Sequence, residues 1–206
     1  MNKVFICLIT NMANMAKLIE LNQYMIREKF WKIFGNKFHI VDEQHTLYGF
    51  CEQKRFRLKE DLRLYDDESK MHEWLIIKQR NIVDSWGGFD IFDPINNLHL
   101  GTVRRKFWKS LFRTKWQVLD SDGNDIGMLL EDSMAQAIAR RVLLGILPKK
   151  YTLHTKGNNQ PITMRQKFNP VIRKLIVNIP PENNFNRKFI AGLAVIISAL
   201  DGRGQR

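Results

Sequence analysis

The chain is poor in cysteine, lacks glycosylation acceptors and has no apolar run long enough to cross a membrane. Cys7 and Cys51 are the only cysteines, too few for a disulfide framework, and no Asn-x-Ser/Thr triplet occurs. The apolar run at residues 4–9 is short for a signal peptide, and no small-residue cleavage site follows it. We therefore expect a cytoplasmic protein that lies, at most, at the surface of a membrane.

Motifs of catalysis and metal binding are scarce as well. The 5 histidines have neither zinc-site spacing nor a cysteine pair beside them, and no nucleophile elbow or glycine-rich phosphate loop occurs. Asp120, Asp122, Asn124 and Glu131 match ligand positions of an EF-hand loop, but Asp125 stands where that loop needs glycine, and the flanks are strand-like. A hairpin turn is the favoured interpretation. We expect no enzymatic activity, no metal and no cofactor.

What the chain does contain is an ordinary apolar content and an excess of basic residues. Hydrophobic residues make up 44% of the 206 positions, which suits one compact domain and excludes a disordered chain. Lys and Arg outnumber Asp and Glu by 33 to 21. Such an excess attracts phosphate-bearing surfaces of any kind, although a scattered excess serves only solubility.

The first residues have the periodicity of a helix. Apolar side chains recur at spacings of three and four, which predicts a helix over about residues 4–21 within an N-terminal helical extension, residues 1–22. Its apolar face is expected to pack on the domain. A membrane-surface helix is the alternative, but the polar side carries only Lys3, Lys17 and Glu20.

From Tyr24 onward the period changes to two, which is typical of strands bounded by turn residues. The predicted strands are residues 38–41, 47–50, 56–59, 74–78, 89–92, 98–104, 116–119, 126–130, 151–154, 162–166 and 174–179.

The strands belong to a repeated unit. Residues 29–32 recur as 106–109, the stretch from Lys37 to Gly49 recurs from Lys115 to Gly127, and a reduced third copy ends at Gly101. In each copy an aromatic-led strand ends in Asp, a polar turn follows, and a second strand reaches a glycine where the backbone bends or approaches a neighbour. Stacked hairpins expose edges unless the sheet closes, so the repeat favours a barrel.

Two helices interrupt the strand pattern. Ser133 and Gln136 form a capping box for a helix at about residues 134–144, which Gly145 ends. The second runs over residues 189–200 without a charged residue, and a helix apolar on every side is buried in protein or in lipid. At about 18 Å it is short of the roughly 30 Å hydrocarbon core of a bilayer. We expect it to be the protein's own core.

Three stretches resemble the tubby C-terminal-like superfamily, which includes the phospholipid scramblases and the LURP-one-related proteins. Residues 24–29 and 38–43 are similar to its opening strand pair, and residues 187–201 are similar to its terminal core helix. The resemblance implies a mainly β (α+β) fold over residues 23–206, a closed antiparallel β-barrel of about twelve strands around a central hydrophobic C-terminal helix. These motifs indicate fold rather than activity.

The sequence departs from the scramblases where those proteins bind calcium. Residues 177–184 precede the terminal helix and contain a single carboxylate, Glu182, whereas calcium needs several oxygen ligands. The scramblase cysteine cluster used for lipid anchoring is missing too. LURP-one-like relatives are therefore the closer match, and calcium-driven lipid scrambling is not expected.

One connecting segment has the composition of a polyanion-binding site. Its cations alternate with aromatic and aliphatic residues, as in proteins that dip into a headgroup layer. Six cations at about 1 kcal/mol each give about 6 kcal/mol, a dissociation constant between millimolar and micromolar. The candidate lipid- or polyanion-binding residues are Arg104, Arg105, Lys106, Trp108, Lys109, Arg113 and Lys115.

Other interpretations of this segment stay open. Trp108 and Phe112 can be core residues beside a solvated basic rim, and single-stranded nucleic acid would use the same mixture of cations and aromatics. The leading hypothesis is a monomeric, non-enzymatic tubby-like domain that associates weakly with anionic phospholipid or with a partner protein. A structural or regulatory interaction module without lipid binding is the second hypothesis, and nucleic-acid binding is the third.

Overall fold

The protein is a closed antiparallel β-barrel around one helix, as the sequence predicts. The structure, a computed structural model, describes residues 16–31, 35–53, 61–80, 88–106, 115–131, 148–167 and 172–201. The strands are β1 (Gln23–Trp31), β2 (Gly35–Val41), β3 (Leu47–Gln53), β4 (Asp61–Tyr65), β5 (Glu73–Gln79), β6 (Gly88–Asp93), β7 (Leu98–Lys106), β8 (Lys115–Leu119), β9 (Asp125–Glu131), β10 (Lys150–Thr155), β11 (Ile162–Lys167) and β12 (Arg173–Asn178).

Each strand pairs with the strands before and after it in the chain, and β1 pairs with β12 to close the sheet. At the closure Tyr24 lies opposite Val177. Closure leaves no unpaired strand edge in the sheet. This is the reason for which the repeated hairpins predicted a barrel.

A central helix (Arg187–Asp201) fills the barrel. Residues 189–199 are all buried, and Leu193 and Val195 are 0% exposed. Gly192 lets the helix approach the wall, because a Cβ there would lie 3.1 Å from the side chain of Ile91. The expectation that this apolar helix is the protein's own core is confirmed. No helix among the described residues is long and apolar enough to span a bilayer.

The start of the helix is fixed by polar contacts. Asn186 caps it, since its Oδ1 accepts a hydrogen bond of 3.0 Å from the N–H of Phe189. Lys188 Nζ lies 2.6 Å from Oδ2 of the buried Asp93, and Arg187 donates to the carbonyl oxygen of Leu21 at 3.1 Å. The helix is thereby tied to β6 and to the chain segment before β1.

The hairpin unit occurs four times, once more than the sequence predicted. In each copy the pairing register slips just before the turn, after Ile40, Leu64, Ile91 and Val118. Three of these residues face a glycine across the ladder, whereas Leu64 faces Leu75. Because the β4–β5 hairpin lacks the glycine, its membership of the repeat was not visible in the sequence.

The glycines of the repeat allow close backbone contacts. Gly101 has φ of 139°, and a Cβ there would lie 2.3 Å from the carbonyl oxygen of Leu119. A Cβ at Gly127 would lie 2.7 Å from the carbonyl oxygen of His154. The predicted close approach is therefore present at both positions.

The aspartates of the repeat organise the turns. Asp93 Oδ1 accepts hydrogen bonds from the N–H groups of Ile95 and Asn96, and Asp120 Oδ1 accepts them from Asp122 and Asn124. Side chains that bond to the backbone two to four residues ahead favour tight turns. The stretch similar to an EF-hand is accordingly the β8–β9 hairpin turn, with the Asp120 carboxylate occupied by its own backbone.

Several sequence predictions concern residues outside the described part of the chain. These are the strand at 56–59, the helix at about 134–144 and most of the N-terminal helix. Residues 16–20 are helical, and Leu18 is 2% exposed within the barrel's core cluster, so this end of the extension packs on the domain. Strand β4 was not predicted, because the predicted strand covers the first alternating stretch, Phe56 to Lys59, and not the second, around Leu62 and Leu64.

Candidate functional site

The two ends of the barrel differ in charge. The hairpin turns and the start of the central helix lie at one end, the turn end, and the strand ends at the opposite side form the rim. Acidic residues predominate at the turn end, with Asp42, Glu43, Asp66, Asp67, Glu68, Asp93, Asp120, Asp122 and Glu182 against Lys70, Lys156, Arg187 and Lys188.

Basic residues predominate within three positions of the strand ends at the rim. They are Lys29, Lys37, Arg63, Lys78, Arg80, Arg104, Arg105, Lys106, Lys115, Lys149, Lys150, Arg165, Lys167, Arg173 and Lys174, against Glu28, Glu52, Asp61, Asp90 and Glu131. Among the described residues, the positive charge is thus concentrated toward one end of the barrel, where it would act together on an anionic surface.

The sequence-predicted site lies at this rim, and four of its residues are described. Arg104, Arg105 and Lys106 end β7, and Lys115 begins β8; together they form the rim cluster. Lys106 lies directly opposite Lys115, which brings two cations of the site together. Trp108, Lys109 and Arg113 lie outside the described residues.

At the rim cluster the aromatic ring of Trp116 belongs to the core, and the basic group of Arg105 lies in solvent. Trp116 is 4% exposed and packs near Phe89, with ring centroids 6.4 Å apart, so its indole belongs to the core. The exposed Arg105 guanidinium lies over that indole, with its Cζ 5.8 Å from the ring centroid. Cation–π contacts of this kind hold an arginine in place while its edge stays in solvent.

A second group of cations, which the sequence analysis missed, lies on the outer wall of β10, β11, β12 and β1. We call it the lateral patch: Arg27, Lys150, Arg165, Lys167 and Lys174. Alternation places these side chains outward, since their strand neighbours Ile26, Tyr151, Met164, Leu175 and Val177 are buried.

Pairing brings the cations of the lateral patch next to one another. Lys174 lies opposite Arg27 on one side and Lys167 on the other, and Lys150 lies opposite Arg165. Like charges directly opposite in a sheet are destabilising. Arg27, Arg165, Lys167 and Lys174 form no ion pair within the described residues.

The wall across the barrel is built differently. Arg63 pairs with Glu73 at 2.8 Å, and Arg80 pairs with Asp90 at 2.8 Å. Burial raises the pKa of Asp90, but hydrogen bonds from Arg80 and Thr102 outweigh this effect and hold that pKa below its usual range. On this wall each arginine is neutralised by a carboxylate, whereas on the lateral patch neighbouring cations combine into one positive surface.

A sequence signal for the lateral patch exists, but it is weak. Basic residues stand at the strand ends in Lys149–Lys150, Lys167 and Arg173–Lys174. Each pair alone is an ordinary solvated strand end. Only the register, which puts Lys167 and Arg27 on either side of Lys174, makes them one surface.

The described residues hold no arrangement suited to catalysis or to metal binding. Cys51 is buried, and burial raises the pKa of its thiol to about 12, so it stays protonated and a poor nucleophile. His39 Nε2 lies 2.7 Å from Glu68, as in a catalytic pair. The His39 ring, however, packs beside Phe50, and Glu68 also pairs with Lys37, so the described contacts of this pair include no nucleophile. No group of three His, Cys, Asp or Glu side chains in this part of the chain could hold a metal ion.

Comparison with known proteins gives one match. A family model described as LURP-one-related matches residues 22–198, from just before β1 into the central helix. Neither the curated proteins nor the solved structures give a match. The match covers the whole barrel and therefore agrees with the resemblance seen in the opening strands and the terminal helix.

Proposed function

Because the chain belongs to the LURP-one-related family, a family within the tubby-like superfamily, we propose that it is a non-enzymatic tubby-like domain that associates weakly with an anionic membrane surface in the cytoplasm. A fold carries no activity by itself, so this proposal depends on the surface chemistry of the barrel.

The concentration of cations at the rim is the observation that carries the proposal. In the rim cluster Lys106 and Lys115 face each other across the β7–β8 ladder, and Arg104 and Arg105 stand beside them. A sheet gains nothing from opposed cations. A phosphate-bearing surface that lies against the rim would neutralise this repulsion.

The expected affinity is low. Each cation near an anionic surface contributes about 1 kcal/mol, so the four residues of the rim cluster give about 4 kcal/mol. That corresponds to a dissociation constant of about 1 mM, which describes reversible, surface-limited association. Screening of these charges at physiological salt weakens the binding further.

Co-sedimentation with lipid vesicles tests the proposal. The protein should pellet with phosphatidylserine-containing vesicles and not with pure phosphatidylcholine vesicles, and added salt should release it. A variant with Arg104→Gln and Lys115→Gln should bind more weakly than a variant with Lys70→Gln and Lys156→Gln, which loses the same charge from the turn end. Equal, negligible pelleting of the wild type with both vesicle types would refute the proposal.

An interaction module without a lipid role is the second candidate, and one observation favours it. Met71, Ile95 and Leu98 are exposed by 71%, 49% and 54%, and they come from neighbouring hairpins at the turn end. Exposed apolar side chains on adjacent turns offer a surface for contact with another protein. If this candidate is right, charge reversal of Arg104 and Arg105 leaves the cellular distribution unchanged, whereas Met71→Ser with Ile95→Ser alters it.

A further inference from the structure

We propose that the lateral patch is a second contact face for anionic phospholipid, separate from the rim cluster. This inference rests on the proposed function, because it places an additional part of the same membrane association on β10, β11, β12 and β1. Three observations carry it: the direction of the side chains, their pairing, and the composition of the surface around them.

The cations of the lateral patch face solvent. Lys150, Arg165 and Lys167 are exposed, and Arg27 and Lys174 are partly exposed. Since side chains on a strand alternate between its two faces, all five emerge from the outer surface of the barrel. They occupy the half of the wall nearer the rim.

The pairing of these strands sets cation against cation. Arg27, Lys174 and Lys167 lie side by side on three adjacent strands. Adjacent strands are about 4.8 Å apart, so the row spans about 10 Å, roughly one Debye length at 0.1 M salt. The three charges therefore repel one another and also act together on any anion placed against them.

On the described part of this wall, no counter-charge stands beside Arg27, Lys167 and Lys174 to relieve the repulsion. The outward positions of β10, β11, β12 and β1 carry no carboxylate in the part of the chain that the structure describes, and Glu28 and Glu131 point inward and are buried. The Nε atom of Arg27 is buried without a hydrogen bond. Sequences that break a local stabilising rule tend to do so at functional or strained sites.

The neutral residues of the wall favour lipid over nucleic acid. Met25 lies opposite Ile176, which in turn lies opposite Arg165, and both aliphatic side chains are partly exposed. Single-stranded nucleic acid would need aromatic rings for base stacking. Among the outward positions of these four strands whose side chains the structure describes, none carries a phenyl, phenol or indole ring, since Tyr24 and Tyr151 point into the core.

Vesicle binding of matched variants tests this inference. The lateral variant carries Lys167→Gln and Lys174→Gln, and the control carries Lys70→Gln and Lys156→Gln, which removes the same charge from exposed positions at the turn end. Each lost membrane contact weakens binding about fivefold. The lateral variant should therefore bind phosphatidylserine-containing vesicles about 25-fold more weakly than the wild type, and the control less than about threefold.

The possible outcomes are distinct. If the wild type binds anionic vesicles and the lateral variant binds like the control, the lateral patch is not a contact face, while the proposed function stands. If the wild type shows no preference for anionic vesicles, both proposals fail. If a single-stranded oligonucleotide displaces the protein and the lateral variant loses oligonucleotide binding more than vesicle binding, the ligand is nucleic acid and the inference is overturned.

Thermal unfolding of the same variants separates a lost contact from a lost fold. Because the substitutions remove repulsion between Lys174 and its neighbours, the lateral variant should melt at or above the wild-type temperature in low salt. Weaker vesicle binding with unchanged or raised melting temperature supports a contact role. Weaker binding together with a lowered melting temperature indicates a structural role and contradicts the inference.

Discussion

Reversing one charge of the lateral patch should make the protein more stable. Lys167 is exposed at the end of β11 and lies opposite Lys174. The substitution Lys167→Glu replaces a like-charge pair with an opposite-charge pair at the same site. Most substitutions destabilise a protein, so a gain here would be specific to the inferred repulsion.

The magnitude follows from cross-strand pair energies. A like-charge pair costs, and an opposite-charge pair contributes, about 0.2 to 1 kcal/mol each. For exposed side chains each value is about 0.5 kcal/mol, so the expected gain is about 1 kcal/mol. For a domain of this size that raises the melting temperature by about 2 to 4 °C.

Urea and thermal unfolding at two salt concentrations would measure this gain. Urea is uncharged and leaves the repulsion unscreened, and at about 0.01 M salt the Debye length is about 30 Å. The advantage of Lys167→Glu should shrink at about 1 M salt, where that length is about 3 Å. The wild type itself should gain stability as salt is added.

A matched reversal provides the control. Lys156 is exposed at the turn end, where acidic residues predominate, so Lys156→Glu should be neutral or destabilising in low salt. If Lys167→Glu lowers stability in low salt, or if both variants behave alike, the cations of the lateral patch do not repel one another and the reasoning is refuted.

Three further predictions concern the fold. Lys188→Met leaves Asp93 buried without its cation and should cost about 2 to 3 kcal/mol in urea unfolding, and adding Asp93→Asn should recover most of the loss. Gly101→Ala should cost several kcal/mol because its Cβ would clash with a backbone oxygen, whereas Gly123→Ala, with φ of 86° and open space, should cost only about 1 kcal/mol; equal losses would contradict the clash. Burial raises the pKa of Asp66 to about 6. The protonated carboxyl group therefore favours folding, fully below the usual carboxyl pKa range, and this contribution is lost as the pH rises through about 6. Asn at this position stays uncharged, so Asp66→Asn should stabilise the protein by about 1 to 2 kcal/mol at pH 7.5 and not at pH 4. A pH-independent effect in thermal melts would contradict this.

The hairpins and the central helix were predictable because their signals are local. A strand that alternates with period two and ends at an Asp-led turn folds back on itself whatever the rest of the chain does, as the turn at Asp120 shows. The run over residues 189–200 has no polar face, so it had to be enclosed. Where the local signal was ambiguous, as around β4, the prediction failed.

Half of the site was predictable for the same reason. Arg104, Arg105 and Lys106 are consecutive, so their charge density is visible in the sequence. The opposition of Lys106 to Lys115 also follows from the pairing of two consecutive strands. The roles of Trp108, Lys109 and Arg113 stay predictions.

The sequence by itself determined the strand-turn unit, the closed barrel that its repetition favours, and the enclosed helix. Only the tertiary structure decided which cations meet on the outer wall. Arg27 and Lys174 are far apart in the chain and become neighbours only when β1 pairs with β12. A one-residue change of that register would turn these side chains to the other face of the sheet, and nothing local to either residue encodes the register.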